Sequence, residues 1–157
     1  MPAFKLPESV LVVIHTPALD VLLLERADFG GFWQSVTGSR ASADEPLALT
    51  CAREVREETG LARTAAQFED WNFSLRYSIY PQWRHRYAPG VTHNVEHLFG
   101  LSVEARFAPQ LAPREHRRWQ WLNWRDAADA CFSWTNAQAI RLLAFRAAAA
   151  GGRGAGV

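Results

Sequence analysis

The chain has 157 residues, 48% of them hydrophobic, which is enough for one domain with a real core and too little for two. Its 17 Lys and Arg nearly balance its 16 Asp and Glu, and a net charge of +1 argues against the clustered basic surface that binds nucleic acid. Apolar runs such as residues 10–14 are far shorter than the ~20 residues of a membrane span, and no cationic leader precedes a cleavable hydrophobic segment. We therefore expect a cytoplasmic protein that binds a small molecule, with no nucleic-acid or membrane partner.

Short strands are predicted at the start of the chain. Residues 10–14 and 21–24 are apolar runs separated by Pro17 and Asp20, a pattern that favours two buried strands. Residues 32–36 predict a third strand. The chain thus opens with part of a sheet.

A helix is predicted to follow these strands. Its apolar stripe recurs every four residues, at Leu47, Cys51 and Val55. Pro46 is tolerated in the first turn, and either Ser42 or Asp44 can cap the N-terminus. Gly60 supplies a left-handed stop at the C-terminus.

The second half of the chain completes the sheet. Residues 68–83 are rich in aromatic and alternating residues and predict one or two strands, and residues 98–103 and 118–122 predict two more. Residues 135–149 predict a closing helix. Its expected buried residues are Ile140, Leu143 and Ala144.

The order of these elements indicates the architecture. Strands, a central helix, further strands and a final helix favour an α/β/α sandwich on a mixed β-sheet. Residues 1–150 are expected to form a single domain. The Gly-rich segment 151–157 has too little apolar content to order itself, so we expect a flexible C-terminal tail.

The predicted central helix carries an acidic face. Glu54, Glu57 and Glu58 stand at positions i, i+3 and i+4, so they project from the same side. Like charges at these spacings destabilise a helix by a few tenths of a kcal/mol per pair, so a cation belongs among them. Mg²⁺ takes carboxylate oxygens, water and phosphates, and the chain offers no Cys/His spacing for zinc. The alternative is that this face is merely the solvated side of a surface helix.

A longer pattern surrounds these carboxylates. It reads Gly38, a loop, Glu45, seven residues, and then Arg-Glu-Val-Arg-Glu-Glu-Thr-Gly-Leu from Arg53 to Leu61. This pattern resembles the Nudix box, the signature of the Nudix hydrolase family. It departs at one place, because six residues separate Gly38 from Glu45 where the family pattern has five. The insertion lies in the loop, so it bears on loop shape near Gly38 and leaves the acidic face intact.

Three strings lie outside the box, at residues 32–39, 84–92 and 133–140, and read FWQSVTGS, RHRYAPGVT and SWTNAQAI. They resemble one bacterial Nudix subfamily, the dihydroneopterin triphosphate diphosphatases. Ser-Val-Thr-Gly stands where the general family has a Pro-Gly-Gly-like turn, which makes it a specific marker. The resemblance runs from about Lys5 to the final helix.

The resemblance implies a division of labour within the box. Phosphoanhydride hydrolysis needs neutralised phosphate oxygens and a positioned water rather than a protein nucleophile. By resemblance, Glu54 and Glu58 bind Mg²⁺ directly, with Mn²⁺ as a possible substitute, and Glu57 belongs to the same cluster. A structural set holds the helix and loop together: Gly38, Glu45, Arg53 and Gly60. The candidate catalytic residues are Glu57, Glu58 and Glu115.

Glu115 lies outside the box, in Pro-Arg-Glu-His just before the strand predicted at 118–122. Nudix enzymes often recruit a further carboxylate from a loop beyond the box, so Glu115 is a candidate metal ligand or general base. The alternative is a surface Glu in an Arg-rich loop. His116 is interpreted as a polar neighbour or substrate contact rather than a metal ligand.

Substrate contacts are carried over by resemblance to Lys5, Arg26, Thr37, Tyr77, Ser78, Ile79, Tyr80 and Ser133. Arg26 closes a strand and can clamp phosphate bidentately, or it is an ordinary strand-end Arg. Residues 77–80 are expected to form a strand that lines a ring slot. The loop 84–92 is either a rigid turn that closes over substrate or a structural or subunit contact, and the oligomeric state is left open.

The resemblance implies Mg²⁺-dependent hydrolysis of 7,8-dihydroneopterin triphosphate to the monophosphate and pyrophosphate, an early step in folate synthesis. One rival is a Nudix hydrolase of nucleoside triphosphates such as dATP, because purine and pterin share a flat ring, a hydrogen-bonding edge and a triphosphate. Another is a non-catalytic Nudix module that binds a nucleotide or protein. The intact Glu54, Glu57 and Glu58 argue against the second rival.

Overall fold

A mixed sheet organises the molecule, and the computed structural model describes residues 3–153 of the chain. The strands are β1 (Glu8–His15), β2 (Asp20–Arg26), β3 (Trp33–Gln34), β4 (Val36–Ser39), β5 (Glu69–Ser78), β6 (His93–Ser102) and β7 (His116–Asn123). The helices are α1 (Leu47–Thr59), α2 (Trp124–Ala130) and α3 (Trp134–Arg153), with short 3₁₀ helices at Ala65–Gln67 and Pro81–Arg86. None of the helices described is long and apolar enough to cross a membrane.

β1 lies at the centre of this sheet. The strand order is β3-β2-β1-β6-β5, while β4 pairs with β1 and β7 pairs with β2. β1 runs parallel to β6 along its whole length, and the other strand pairs are antiparallel. At its N-terminal end, Ser9 of β1 lies opposite Ser39 of β4 on one side and Glu96 of β6 on the other.

Both faces of β1 are buried, which explains its continuous apolar run. Val10, Val12 and Ile14 pack on the side that holds Cys51 and Val55 of α1. The intervening Leu11 and Val13 pack on the other side, against Ala139, Ile140 and Leu143 of α3 and Ala127 and Ala128 of α2. Each fully buried aliphatic side chain contributes about 1.5–3 kcal/mol. The predicted α/β/α sandwich on a mixed sheet is therefore confirmed.

The predicted helix boundaries differ from the structure at the N-terminus of α1. Pro46 itself occupies the cap position and no side chain caps it, so the predicted capping by Ser42 or Asp44 is wrong. The Ser42 carbonyl accepts instead from the Glu45 N–H, which forms a turn in the lengthened loop. At the other end the prediction is confirmed, because Gly60 has φ 76° and its N–H donates to the Arg56 carbonyl.

Two predicted strands are interrupted. The segment 32–36 forms two short strands that break at Ser35, whose N–H donates to Asn136 Oδ1 at 2.7 Å rather than to a neighbouring strand. β5 ends at Ser78, so the strand predicted through Tyr80 is wrong. Pro81 begins the 3₁₀ helix and has no N–H to continue a ladder.

The C-terminal region also departs from the prediction. α2 was not predicted, although Asn123 caps it by accepting from the N–H groups of Arg125 and Asp126. Ile140 and Leu143 are buried as predicted, but Ala144 is only half-buried. α3 continues to Arg153, because an Ala-rich run propagates helix into the glycines. Residues 151–153 of the predicted tail are thus helical, and residues 154–157 lie outside the described part.

Candidate active site

A cavity of about 610 Å³ opens where the N-terminal ends of β1 and β6 meet β4 and the start of α3. Its walls include every position predicted to contact substrate: Lys5, Arg26, Thr37, Tyr77, Ser78, Ile79, Tyr80 and Ser133. They also include the predicted carboxylates Glu54, Glu57, Glu58 and Glu115, together with Gly38. Glu45, Arg53 and Gly60 lie outside the lining. Its volume falls in the range typical of small-molecule sites, roughly 300–1,000 Å³.

The three carboxylates of α1 reach this cavity at different depths. Glu58 is buried, with 4% of its surface exposed, and its Oε2 has no hydrogen-bond partner among the described residues. Glu54 is largely covered and accepts from Arg53 at 2.8 Å. Glu57 is half-exposed, 3.8 Å from the same guanidinium. One helical face therefore presents a buried, an intermediate and an open carboxylate.

Gly38 of β4 makes room for the second of these carboxylates. A Cβ built on Gly38 would lie 2.0 Å from Cδ of Glu54 and 2.3 Å from its Oε1. No side chain fits that space unless the Glu54 carboxylate moves. The predicted structural role of Gly38 thus has a geometric reason, which is the approach of Glu54 to the backbone of β4.

The loop before β7 adds Glu115 and His116 to the cluster. Ligand atoms of Glu58, Glu115 and His116 all lie within 4.8 Å of one another. The Glu115 carbonyl accepts from the Ala27 N–H at 2.9 Å, which ties this loop to the end of β2. Glu115 itself is exposed, whereas His116 is buried. Glu115 therefore lies beside Glu58 in the fold although it is 57 positions later in the sequence, as predicted.

Hydrogen bonds assign the proton on His116. Arg26 donates to Gln34 Oε1 at 3.3 Å, so the Gln34 amide nitrogen faces His116 Nε2 at 3.1 Å and donates to it. The ring proton then resides on Nδ1, 3.8 Å from Glu58 Oε1. Burial, with the nearby Arg26 charge, lowers the pKa of His116 to about 4, so the ring is neutral. Its N–H then faces the carboxylate cluster as a donor.

The cluster is only partly compensated, because Arg53 pairs with Glu54 and Glu57 while no salt bridge to a Lys or Arg of the described residues reaches Glu58. Burial raises the pKa of Glu58 well above its usual range, and the charges of Glu54 and Glu115 raise it further. Burial raises the pKa of Glu54 to about 7, against the opposing effect of Arg53. An orphaned carboxylate oxygen beside two further carboxylates is an oxygen donor set that fits a hard divalent cation. The residues present therefore suit such an ion.

Cationic side chains face the same cavity. The Arg26 guanidinium binds both oxygens of Asp28, at 2.8 and 2.7 Å, and lies 4.3 Å over the ring of Trp83. Lys5 is partly removed from water, and this burial together with the charge of Arg86 lowers the pKa of its amine. The Lys5 N–H also donates to the Arg86 carbonyl at 2.8 Å, which fixes the N-terminal segment to the cavity wall. Arg26 would have to exchange Asp28 for any phosphate that it clamps.

Aromatic rings form another wall. Tyr80, Trp83 and Phe132 lie with ring centroids 5.4–5.9 Å apart, and Phe32 stacks on Phe132 at 4.6 Å. Tyr80, Trp83 and Phe132 line the cavity. Such a wall offers flat apolar area to a heterocyclic ring.

Comparisons with known proteins agree with this geometry. A sequence profile described as a NUDIX domain matches residues 5–143. The chain belongs to the Nudix family. The dihydroneopterin triphosphate diphosphatase of Haemophilus influenzae is 40% identical over 148 residues, 92% of each chain, and that of Escherichia coli K12 is 39% identical over 148 residues, 92% of this chain and 97% of its own. The structure of the E. coli dihydroneopterin triphosphate pyrophosphohydrolase matches with a TM-score of 0.82 and 38% identity over 90% of this chain and 97% of that one.

The Nudix box of this chain is held together by Glu45 and Arg53. Arg53 donates to Oε1 and Oε2 of Glu45 at 2.9 and 3.2 Å and to the Ser39 carbonyl at 3.1 Å. The Thr50 hydroxyl donates to Glu45 Oε1 at 2.6 Å. The Arg53 guanidinium is the main cause of a Glu45 pKa lowered to about 2. The pair thereby fastens the start of α1 to β4.

The extra residue of the Nudix loop has its own support. Arg40 donates to the carbonyls of Ala43 and Glu45 at 2.7 and 2.9 Å, and to the Glu8 carboxylate at 3.0 Å. The loop is thus braced from within by one guanidinium. The acidic face of α1 is undisturbed, as the position of the insertion predicts.

Several residues that line the cavity were not predicted from the sequence. They are Asn94 and Glu96 on β6, Asn136 on α3, Trp83, and Phe132 before α3. Asn94 and Glu96 stand two positions apart and so share one face of β6, but polar residues occur on both faces of this half of the strand, so the sequence did not reveal which face lines the cavity.

Proposed function

We propose that this Nudix chain is a pyrophosphohydrolase that cleaves 7,8-dihydroneopterin triphosphate to dihydroneopterin monophosphate and pyrophosphate. The observation that carries the proposal is one cavity with two chemically different sides. The carboxylate cluster, with the unpartnered Glu58 Oε2, suits a metal-bound triphosphate, and the aromatic wall with buried polar groups suits a flat heterocycle. Relatives that are 39–40% identical over 92% of the chain bear the name of this activity.

Glu54, Glu58 and Glu115 are proposed to hold Mg²⁺, with Mn²⁺ as a substitute, and Glu57 lies at the open edge of the same cluster. When bound, the ion neutralises phosphate oxygens and makes a bound water more acidic. Exposed Glu115 is proposed to accept a proton from the attacking water. Cationic Lys5 and Arg26 are positioned to contact phosphate, since both line the cavity.

The aromatic wall is proposed to orient the ring and exclude water from one side of the cavity. Tyr80 and Trp83 arrive from the turn between β5 and β6, and Phe132 from the turn before α3. Ser133 and Thr37 lie at the edges of this space. A cytoplasmic location, and one domain over residues 1–150, remain predictions beside this function.

Product identification tests the proposal. The purified protein is incubated with dihydroneopterin triphosphate or each common dNTP, in Mg²⁺, in Mn²⁺ and in a chelator, and products are resolved by ³¹P NMR. We expect pyrophosphate and the pterin monophosphate, no turnover in chelator, and a kcat/KM at least about tenfold above that for dATP.

Orthophosphate release, or metal-independent turnover, would contradict the reaction. Equal or better turnover of dATP would instead assign the protein to general nucleoside triphosphate hydrolysis. Failure of any triphosphate to turn over while nucleotides bind would favour the non-catalytic module. The control is Glu104→Gln, which removes an exposed carboxylate outside the cavity.

A further inference from the structure

Glu96 is a buried carboxylate that the carboxylate cluster of α1 does not use. It lies on β6 opposite Ser9 of β1 and Leu75 of β5, and only 4% of its surface is exposed. Its side chain lines the cavity, yet its Oε1 has no hydrogen-bond partner among the described residues. Thr135, at the start of α3, lines the same cavity. The carboxylate thus keeps a buried oxygen without a donor.

This carboxylate has no cationic partner in the described part of the chain. The ion pairs found within residues 3–152 include none to Glu96. Burial raises the pKa of Glu96 to about 7. A buried acceptor without a donor is costly for a fold to retain, so its retention beside a cavity points to a ligand that supplies the donor.

A second unpartnered acceptor lies beside it. Asn94 is two residues earlier on β6 and therefore on the same face of the sheet. Its amide nitrogen donates to Ser9 Oγ at 2.8 Å and to the Tyr77 hydroxyl at 3.1 Å, and its Oδ1 has no partner in the described part of the chain. This side of the cavity thus presents two unpartnered acceptors on one strand and suits a ligand that carries donors.

We propose that Glu96 determines ring specificity by accepting the ring N–H and the 2-amino group of a 2-amino-4-oxopyrimidine edge, with Asn94 as the neighbouring acceptor. This inference rests on the proposed function, because a pterin carries that pair of donors. Guanine carries the same pair. Adenine instead offers one donor next to a lone pair, which would face a carboxylate oxygen. The site therefore selects pterin and guanine rings and disfavours adenine.

The test changes the Glu96 carboxylate, which has two acceptor oxygens, into an amide, which has one acceptor and one donor group. Glu96→Gln keeps the side-chain shape, and its amide matches the donor and lone pair of adenine. We expect kcat/KM for dihydroneopterin triphosphate to fall about tenfold or more, while that for dATP holds or rises. Glu104→Gln, with the same change of charge at an exposed position, should leave the ratio at the wild-type value.

A comparison of substrates tests the same contact without a mutation. dITP has the ring N–H of dGTP and lacks its 2-amino group. As substrates or competing inhibitors of the wild type, dGTP should be favoured over dITP by about tenfold, and Glu96→Gln should reduce that preference. The wild-type comparison of dGTP with dITP gives a result even when the Glu96→Gln variant does not fold.

The outcomes separate this inference from the proposed function. If dihydroneopterin triphosphate is not turned over but the dGTP preference exists and depends on Glu96, recognition stands and the proposed substrate fails. If dihydroneopterin triphosphate is turned over but dGTP and dITP are equal in the wild type, the inference is overturned. A Glu96→Gln variant that folds and keeps the pterin-to-dATP ratio within threefold also overturns it.

Discussion

Glu25 and Glu58 are both carboxylates withdrawn from water, with 0% and 4% of their surfaces exposed, yet they meet opposite surroundings. Glu25 accepts from Arg117 at 2.6 Å, from Arg118 at 2.7 and 2.8 Å, and from the Gly31 N–H at 3.0 Å. Glu58 keeps one oxygen without a partner and has two other carboxylates as neighbours. Burial alone therefore does not separate structural from functional acids.

The difference lies in neutralisation. The guanidiniums of Arg118 and Arg117 hold the pKa of Glu25 well below its usual range, so this carboxylate stays charged and ties β2 to β7. Burial raises the pKa of Glu58, and the neighbouring carboxylates add to the shift. An acid that its own fold leaves uncompensated is the better candidate for binding a ligand. Glu96 belongs with Glu58 in this respect.

The largest effect is expected at Glu58. Glu58→Gln keeps the shape and removes the charge proposed to bind metal, so turnover should fall by ~10²-fold or more for pterin and purine substrates alike. Because the substitution relieves a buried charge, the thermal midpoint measured in chelator should stay or rise. Glu25→Gln should instead lower the thermal midpoint. Turnover of Glu58→Gln within threefold of wild type would refute the assignment.

Glu115 should follow, with an effect on rate rather than affinity. If its carboxylate acts on metal or water, Glu115→Gln should lower kcat by about tenfold to 10²-fold while KM changes little. Steady-state kinetics with Glu104→Gln as the control measures this. An unchanged kcat would return Glu115 to the surface loop that its sequence context also allowed.

Residues away from the carboxylates should affect the choice of ring instead. Tyr80→Ala removes part of the aromatic wall, and Ser133→Ala removes a hydroxyl that accepts from the Asn136 N–H at 3.2 Å. Either change should reduce the ratio of kcat/KM for dihydroneopterin triphosphate over dATP by about tenfold. Parallel losses on both substrates, as expected for Glu58→Gln, would place the ring elsewhere.

The smallest effect is expected at the compensated pair of the box. Glu45→Gln should cost about 1–2 kcal/mol of unfolding free energy at pH 7, because Arg53 loses one of its carboxylate partners. The pKa of Glu45 is lowered to about 2 in the fold, so its contribution is complete above about 4.5 and is lost as pH falls toward 2. Urea titrations should therefore show the gap between wild type and variant closing as pH falls from 7 to 3. A gap independent of pH would mean that packing, not charge, holds this pair.

The sequence predicted best what is local. The apolar stripe of α1, its Gly60 stop and its acidic face follow from spacing within seventeen positions, from Glu45 to Leu61, and the structure has all three. The substrate-contact positions carried over by resemblance all line one cavity, but no physical argument from the sequence had assembled them.

The features that could not be predicted from the sequence depend on contacts between residues far apart in the chain. The strand break at Ser35 is set by Asn136, 101 residues later. Glu96 shares its cavity with Thr135 at the start of α3, 39 residues later. Tyr80 was predicted to lie in a strand, but β5 ends at Ser78 and Pro81 begins a 3₁₀ helix directly after Tyr80. Propensity and periodicity carry no information about such contacts.

Trp83 gives the cavity an optical signal of its own. Its indole lies in the cavity wall beneath the Arg26 guanidinium at 4.3 Å, so a phosphate that draws Arg26 away from Asp28 would change the electric field at the ring. A pterin near the same wall would absorb part of the indole emission. Since the chain has seven Trp, the difference between wild type and Trp83→Phe isolates this response. Occupancy of the site can then be followed by fluorescence, in chelator and without turnover.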